Sequence, residues 1–167
     1  MGSNPTERTK QEERKFMMEI ERKWILQRVP TEFRLVRNSQ VEQFYVSTSP
    51  EVRLRHNPAS KEPFRITVKG EGSLTREEIE TEISEDFYNQ LKDFVGKPPI
   101  KKNYSVFNCG GYPLTVSVVD DGAFIYAEIE FESEEQARDY QFPIDDAIEV
   151  TDDSNYKMKN YWLRTRN

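Results

Sequence analysis

One stretch of the sequence decides the fold: Met18-Glu19-Ile20-Glu21-Arg22-Lys23-Trp24. Its residues alternate with the period of a β-strand, so that two carboxylates and an ammonium group share one face. Ile20 and Trp24 fall on the other face. A half-buried strand ordinarily turns scattered polar residues toward solvent. Here every position of that face is charged, which indicates that the charged face has a role of its own.

The same alternation returns further along the chain, in segments that each carry one apolar and one charged face. The charged faces hold Arg53 and Arg55; Arg65, Thr67 and Lys69; Arg76, Glu78, Glu80 and Glu82; and Glu128, Glu130 and Glu132. Clustered like charges would repel one another across a sheet that faced bulk water. Closing the sheet with its charges inward and helices outside removes this difficulty. The sequence therefore predicts an α+β protein, an antiparallel eight-stranded β-barrel, closed or nearly closed, with a charged lumen.

These motifs, in this order, resemble the CYTH family, also called triphosphate tunnel metalloenzymes. The family signature Glu-x-Glu-x-Lys is matched by Glu19, Glu21 and Lys23. The resemblance covers residues 18–163 and continues through Gln43-Phe44-Tyr45, Arg53-Leu54-Arg55, Thr67-Val68-Lys69, Arg76 to Glu80, Lys101, Glu128-Ile129-Glu130 and Glu149-Val150-Thr151. A single Glu-x-Glu-x-Lys arises by chance in charged strands, so the resemblance depends on the ordered set.

Composition agrees with one folded domain over residues 18–167, which follows a flexible extension over residues 1–17. A chain of 167 residues can bury a core. Its hydrophobic content of 35% is low and its charged content of 32% is high, as expected where ions line one face of the sheet. The net charge of −6 disfavours nonspecific nucleic-acid binding. With no apolar run near the roughly 20 residues that span a bilayer, no signal-peptide pattern and a single cysteine, we expect a cytoplasmic protein without membrane partners.

Capping and turn signals place the helices outside this barrel. Ser84 precedes apolar residues at helical spacing, namely Phe87, Leu91, Phe94 and Val95, which we expect to pack against the barrel. Residues 133–136 form a capping box, and residues 155–163 predict a last helix. Residues 30–40 are predicted to connect the first two strands.

The predicted lumen suits a linear polyanion, because ammonium and guanidinium groups bind phosphate oxygens. The basic residues assigned to a triphosphate are Lys23, Arg53, Arg55 and Lys69. Carboxylates beside them would repel that ligand unless Mg²⁺ or Mn²⁺, which take oxygen ligands, lay between. Together with the resemblance, this assigns Glu19, Glu21, Glu128 and Glu130 to the metal, with Glu78 and Glu80 as supporting acids. The alternative, a buried network in which acids only neutralise bases, leaves its burial cost unexplained.

The resemblance further implies that a lysine and a tyrosine activate the attacking water, at Lys101 and Tyr45. Two positions depart from the family pattern. The usual Lys-x-Arg is Lys101-Lys102-Asn103 here, and the strand over residues 113–119 carries Thr115 and Ser117 where acids are usual. These departures weaken the expectation of efficient catalysis.

Three functions remain open at this point. The leading one is metal-dependent hydrolysis of inorganic tripolyphosphate, with nucleoside triphosphates or thiamine triphosphate as further substrates. The second is a class IV adenylate cyclase, which makes cyclic AMP and diphosphate from ATP. The third is a tunnel that binds triphosphates or nucleotides without turnover, which Asn103 and Ser117 favour. The resemblance also allows a homodimer.

Overall fold

The computed structural model describes residues 17–167 as nine strands and three α-helices. The strands are β1 (Met17–Leu26), β2 (Arg34–Thr48), β3 (Glu51–His56), β4 (Phe64–Lys69), β5 (Thr75–Glu82), β6 (Ile100–Cys109), β7 (Tyr112–Val119), β8 (Phe124–Glu130) and β9 (Ile148–Glu149). The helices are α1 (Glu85–Val95), α2 (Glu134–Asp139) and α3 (Met158–Thr165), and a 3₁₀ turn spans Ser154–Tyr156.

Antiparallel pairing closes the sheet into a barrel. The strand order is β5-β4-β3-β2-β6-β7-β8-β1, and β1 pairs back to β5. The first half of β1 pairs with β5, where Glu19 faces Arg76, and its second half pairs with β8, where Lys23 faces Glu128. The short β9 adds to β1 beside Trp24. The predicted eight-stranded closed barrel with external helices is therefore confirmed.

The beginning of β2 corrects one prediction. Residues 30–40 were expected to form a connection, but β2 starts at Arg34, which pairs with Asn108 of β6. This end of the strand shows no apolar alternation because Leu35 and Val36 are both more than half exposed and a bulge interrupts the register after Leu35. Met17, placed in the N-terminal extension, is the first residue of β1, and residues 1–16 of that extension lie outside the described residues.

The helices follow the predicted caps, with differences at their surfaces. The Ser84 side chain accepts a hydrogen bond from the Phe87 amide at 3.1 Å, and Gly96 ends α1 with a φ of 65°, a left-handed conformation that glycine adopts without strain. The predicted packing of Phe94 is wrong, because this side chain is 84% exposed. Tyr88 is the buried anchor of α1 instead. The predicted capping box opens α2, and the last predicted helix is divided into the 3₁₀ turn and α3.

The last helix covers one end of the barrel. Trp162 lies with its ring centroid 5.8 Å from that of Tyr45, a residue that faces the lumen, and Met158 also lines the lumen. Arg166, just after α3, contacts Asp120 at 2.7 Å and donates to the Pro98 carbonyl at 3.1 Å. These contacts hold α3 against the strand ends. Within residues 17–167, no helix has the length and apolar character needed to cross a membrane.

Candidate active site

The barrel encloses a cavity of about 370 Å³ whose wall is almost entirely polar or charged. Alternation along each strand decides which side chains reach it, as the sequence pattern indicated. All but one of the predicted site residues line this cavity: Glu19, Glu21, Lys23, Tyr45, Arg53, Arg55, Lys69, Glu78, Glu80, Glu128 and Glu130. The exception is Lys101.

Three carboxylates form a compact group that we call the acidic trio: Glu19 and Glu21 of β1 and Glu130 of β8. One oxygen from each lies within 4.8 Å of the other two. The strand register produces this group, because Glu21 lies directly opposite Glu130 and Glu19 follows on the same face. Glu128, the fourth predicted metal ligand, lies outside the trio and pairs instead with Lys23, whose Nζ is 3.1 Å from its carboxylate.

The charges in the trio are only partly compensated. Burial, with the charges of Glu128 and Glu19, raises the pKa of Glu21 well above its usual range. Burial also raises the pKa of Glu130, and the charges of Glu19 and Glu78 add to the effect. A cation would remove this repulsion. An all-carboxylate set fits a hard divalent cation such as Mg²⁺ or Mn²⁺.

Two lumen carboxylates, Glu128 and the trio member Glu19, are compensated by lysines. Burial opposes the charge of Glu128, but Lys23 and Lys102 outweigh it and lower its pKa to about 2. Burial likewise opposes the charge of Glu19, and Lys69 outweighs it so that the pKa falls. Lys69 Nζ lies 2.7 Å from a Glu19 oxygen. The lumen thus combines carboxylates held ionised by lysines with carboxylates that lack such partners.

A further acid, Glu51, joins this network. It is 6% exposed, its carboxylate lies 3.3 Å from Arg76, and Arg76 also reaches Glu19 at 3.5 Å. The sequence reasoning missed Glu51 although it shares the strand parity of Arg53 and Arg55. This parity within β3 is the signal that would have identified it.

The arginines of β3 have no close carboxylate partner in the lumen wall. Arg53 contacts Glu80 only at 3.9 Å and donates to the Thr67 hydroxyl at 3.3 Å. Arg55 has no carboxylate within 4.0 Å among the described residues, and its guanidinium lies 4.8 Å from the ring centroid of Tyr104. Both guanidinium groups are therefore available to an anionic ligand.

The prediction that Lys101 lies in the lumen is wrong by one residue. Lys101 is exposed on the outer face of β6, whereas Lys102 is 6% exposed and lines the cavity with Tyr104. Asn103 is also outside, where its Oδ1 accepts a hydrogen bond from Asn38. The departure from Lys-x-Arg therefore falls at Tyr104, two residues after Lys102.

Two tyrosines, one of them bonded to Lys102, contribute to the lumen wall. Tyr45 lines the cavity as predicted, accepts a hydrogen bond from Gln43 Nε2 at 3.1 Å, and has its pKa raised by burial. Tyr126, which the sequence reasoning missed, accepts a hydrogen bond from Lys102 Nζ. It has the same strand parity as Glu128, and this signal would have identified it.

Solved structures show the same architecture. The inorganic triphosphatase NE1496 matches with a TM-score of 0.62 and 26% sequence identity, over 87% of this chain and 94% of that chain. The chain therefore has the barrel fold of a solved inorganic triphosphatase. Two other solved structures share this fold at lower identity. A conserved hypothetical protein from Pyrococcus furiosus matches at TM-score 0.52 and 21% identity, over 72% of this chain and 82% of that one. A candidate adenylate cyclase from Vibrio parahaemolyticus matches at TM-score 0.51 and 19% identity, over 74% and 82%.

The resemblance seen in the sequence motifs is thereby confirmed. No protein-family model matches the chain, and no curated protein matches its sequence. The likeness is therefore one of backbone architecture, which structural comparison detects although no sequence comparison does.

Proposed function

We propose that this protein is a metal-dependent triphosphatase that hydrolyses inorganic tripolyphosphate inside its barrel. The observation that carries the proposal is the presence, in one cavity, of the acidic trio, in which the pKa values of Glu21 and Glu130 are raised, and of the two weakly engaged arginines of β3. A divalent cation would offset the charge of the acidic trio, and a polyanion would offset the charge of the two arginines. The similarity to a protein named as an inorganic triphosphatase supports the same substrate.

The basic residues of the lumen divide into two roles. Arg53 and Arg55 would contact phosphate oxygens through paired N–H groups, because neither is held in a close ion pair. Lys23 and Lys69 already contact carboxylates, so they would bridge those carboxylates and the phosphate chain. Such bridging would keep the triphosphate close to the acids without direct repulsion.

The acidic trio would hold the divalent cation through carboxylate oxygens. When bound, the cation would polarise the transferred phosphoryl group and offset charge on its oxygens. Glu21 and Glu130, whose pKa values are raised, would bind it as ionised carboxylates, so protons compete with the cation for these two groups. Metal affinity should therefore increase with pH.

Proton transfer from the attacking water would fall to Lys102, in the role that the sequence assigned to Lys101. The water oxygen forms a bond to the terminal phosphorus, and the bridging P–O bond breaks. The electron pair of that bond leaves with diphosphate, which Arg53 and Arg55 would hold, and the water proton passes to Lys102 Nζ. Tyr45 lines the same cavity and would orient the water or the phosphate chain.

The test is orthophosphate release from tripolyphosphate with Mg²⁺ or Mn²⁺, and with EDTA as the metal-free control. The Glu19→Ala, Glu21→Ala double variant should lose turnover, whereas the Glu77→Ala, Glu132→Ala double variant, which removes two exposed acids, should keep it. Metal-independent turnover, or equal loss in both variants, would contradict the proposal.

The same assay separates the other functions that the resemblance allows. ATP and thiamine triphosphate should be run beside tripolyphosphate. Cyclic AMP and diphosphate from ATP would make the protein a cyclase. A triphosphate that binds in the presence of metal and is recovered intact would make it a binding protein.

A further inference from the structure

Neutral groups hold Lys102, unlike the two other lysines of the barrel wall. Lys23 contacts Glu128 at 3.1 Å, and Lys69 contacts Glu19 at 2.7 Å. Lys102 is equally buried, at 6% exposed, yet within residues 17–167 no carboxylate lies within 4.0 Å of its Nζ. Its hydrogen-bond partner is the hydroxyl of Tyr126. Lys102 is therefore a buried amine without a close counter-ion.

Tyr126 is held firmly in its own position. It is 2% exposed, and its ring lies beneath both lysines, with Lys23 Nζ 3.9 Å and Lys102 Nζ 5.1 Å from the ring centroid. Ser117 of β7 is the direct cross-strand partner of Tyr126 and is 1% exposed, so an uncharged hydroxyl side chain is buried beside Tyr126. We call Tyr126 and Ser117 the hydroxyl bracket.

The charged and titratable groups around Lys102 come from several strands. Burial lowers the pKa of Lys102 well below its usual range, and the charge of Glu128 on β8 opposes this. Arg55 and Arg53 on β3 and Lys23 on β1 lower it further. The groups that complete the surroundings, Tyr45 on β2 and Tyr126 on β8, are neutral phenols. The local charge thus favours an amine that carries a free electron pair.

We propose that Tyr126 and Ser117 form a neutral bracket that positions Lys102 Nζ as the acceptor of the attacking water's proton. This inference rests on the proposed triphosphatase function. Tyr126 contacts Lys102, and Ser117 acts through its position beside Tyr126, so both members are positioning residues. A carboxylate in place of Ser117 would supply the missing counter-ion and would keep Lys102 protonated. An uncharged residue at Ser117, which the sequence suggested as a mark of weak catalysis, is on this reasoning compatible with catalysis.

The decisive comparison is Ser117→Asp with Ser117→Asn, which have nearly the same size and differ in charge. The measurement is kcat/KM for tripolyphosphate with Mg²⁺ as a function of pH. In Ser117→Asp, the acidic limb should move to higher pH by about one unit or more, which lowers activity at neutral pH about tenfold and restores it in base. Ser117→Asn should keep the limb of the unmodified protein. Equal pH profiles in the two variants would overturn the proposal.

Tyr126→Phe tests the other member, because it removes the hydroxyl and keeps the ring under Lys23. We expect kcat to fall about tenfold or more while KM changes little, as for an interaction that acts in the transition state. An unchanged kcat would overturn the role of Tyr126. Circular dichroism and thermal melting establish that each variant is folded.

A direct titration requires neither turnover nor substitution of the bracket. Carbon-13 NMR of the protein labelled at lysine Cε should show Lys102 titrating well below the usual lysine range, its signal being assigned by its loss in K102R. A Lys102 midpoint within the usual lysine range would overturn the inference. If tripolyphosphate is not hydrolysed at all, the proposed function fails on the activity assay, and the titration still shows whether the bracket holds an uncharged amine.

Discussion

Glu21→Gln should stabilise the metal-free protein while removing its ability to bind metal. Glu21 shares the acidic trio with Glu19 and Glu130, and the ligand oxygens lie within 4.8 Å of one another. At that distance two full charges repel by about 3.5 kcal/mol with an effective dielectric constant of about 20. Lys23 and Lys69 offset part of this repulsion without cancelling it, since the pKa of Glu21 is raised well above its usual range.

Proton linkage gives an upper limit for the gain. The unfolded chain should ionise Glu21 with a pKa near 4.5. If the folded protein keeps this carboxyl protonated at pH 7, the free energy of unfolding falls by about 1.36 kcal/mol for each of the about 2.5 pH units between pH 4.5 and pH 7, or about 3.4 kcal/mol. A glutamine carries no such cost. We expect a gain of about 1–3 kcal/mol, equivalent to roughly 3–10 °C in Tm for a domain of this size.

The pH dependence follows from the same raised pKa. A carboxyl whose pKa is higher in the folded state weakens folding above the unfolded-state pKa, and this effect disappears as pH falls toward that value. The advantage of Glu21→Gln should therefore be greatest near pH 7–8 and should shrink toward pH 4.5. The opposite trend, an advantage that grows with acidity, would refute the assignment of Glu21 as an under-compensated acid.

The assay is thermal unfolding with EDTA from about pH 5 to pH 8, repeated with millimolar Mg²⁺ or Mn²⁺. Glu132→Gln, at an exposed position just beyond β8, is the matched control and should melt like the unmodified protein. Metal should raise the Tm of the unmodified protein and of the control, but not that of Glu21→Gln. A variant that melts at or below the unmodified protein at pH 7 without metal would refute the reasoning.

Three further substitutions test the site and the packing of α3 against the barrel. Lys102→Met should lower kcat by about 10²- to 10⁴-fold, the range for loss of a general base, while Lys101→Met on the outer face should leave kcat nearly unchanged. Equal effects of the two substitutions would contradict the assignment of Lys102 as the general base. Lys69→Met should lower the free energy of unfolding in urea without metal by about 3–5 kcal/mol, because Glu78 and Glu19 lose a partner at 3.0 and 2.7 Å. A smaller loss would mean that other cations already neutralise these two carboxylates. Trp162→Ala should cost about 3–5 kcal/mol for a lost core aromatic, and a neutral result would show that α3 does not depend on this anchor.

The barrel could be predicted from the sequence because the lumen imposes a period of two on its strands. Glu19, Glu21 and Lys23 alternate with residues that pack outside, and a shift of one residue would bury the wrong face. The same rule placed the arginines of β3. Wherever the outer face is apolar, the alternation assigns each side chain to one side of the sheet.

The lumen lysine of β6 could not be identified in this way. Lys101 and Lys102 are adjacent, and no helix covers the outer face at Lys101 and Asn103, so polar residues occupy both faces. The parity of Tyr104, which lines the cavity with Lys102, becomes informative only once β6 is paired with its neighbours. The acidic trio likewise needed the register that sets Glu21 against Glu130, because sequence spacing alone could not separate Glu130 from Glu128.

The position of α3 across one end of the barrel has a consequence for polymers. Met158 lines the lumen and Trp162 is buried beside Tyr45, so we expect α3 to obstruct that end and a phosphate chain longer than tripolyphosphate to enter by one of its own termini. Such a chain should be shortened stepwise from that terminus, because its central bonds cannot reach the acidic trio. Gel analysis of long-chain polyphosphate should then show a gradual decrease in length together with free orthophosphate. A sudden appearance of mid-sized fragments would mean that the polymer threads past α3.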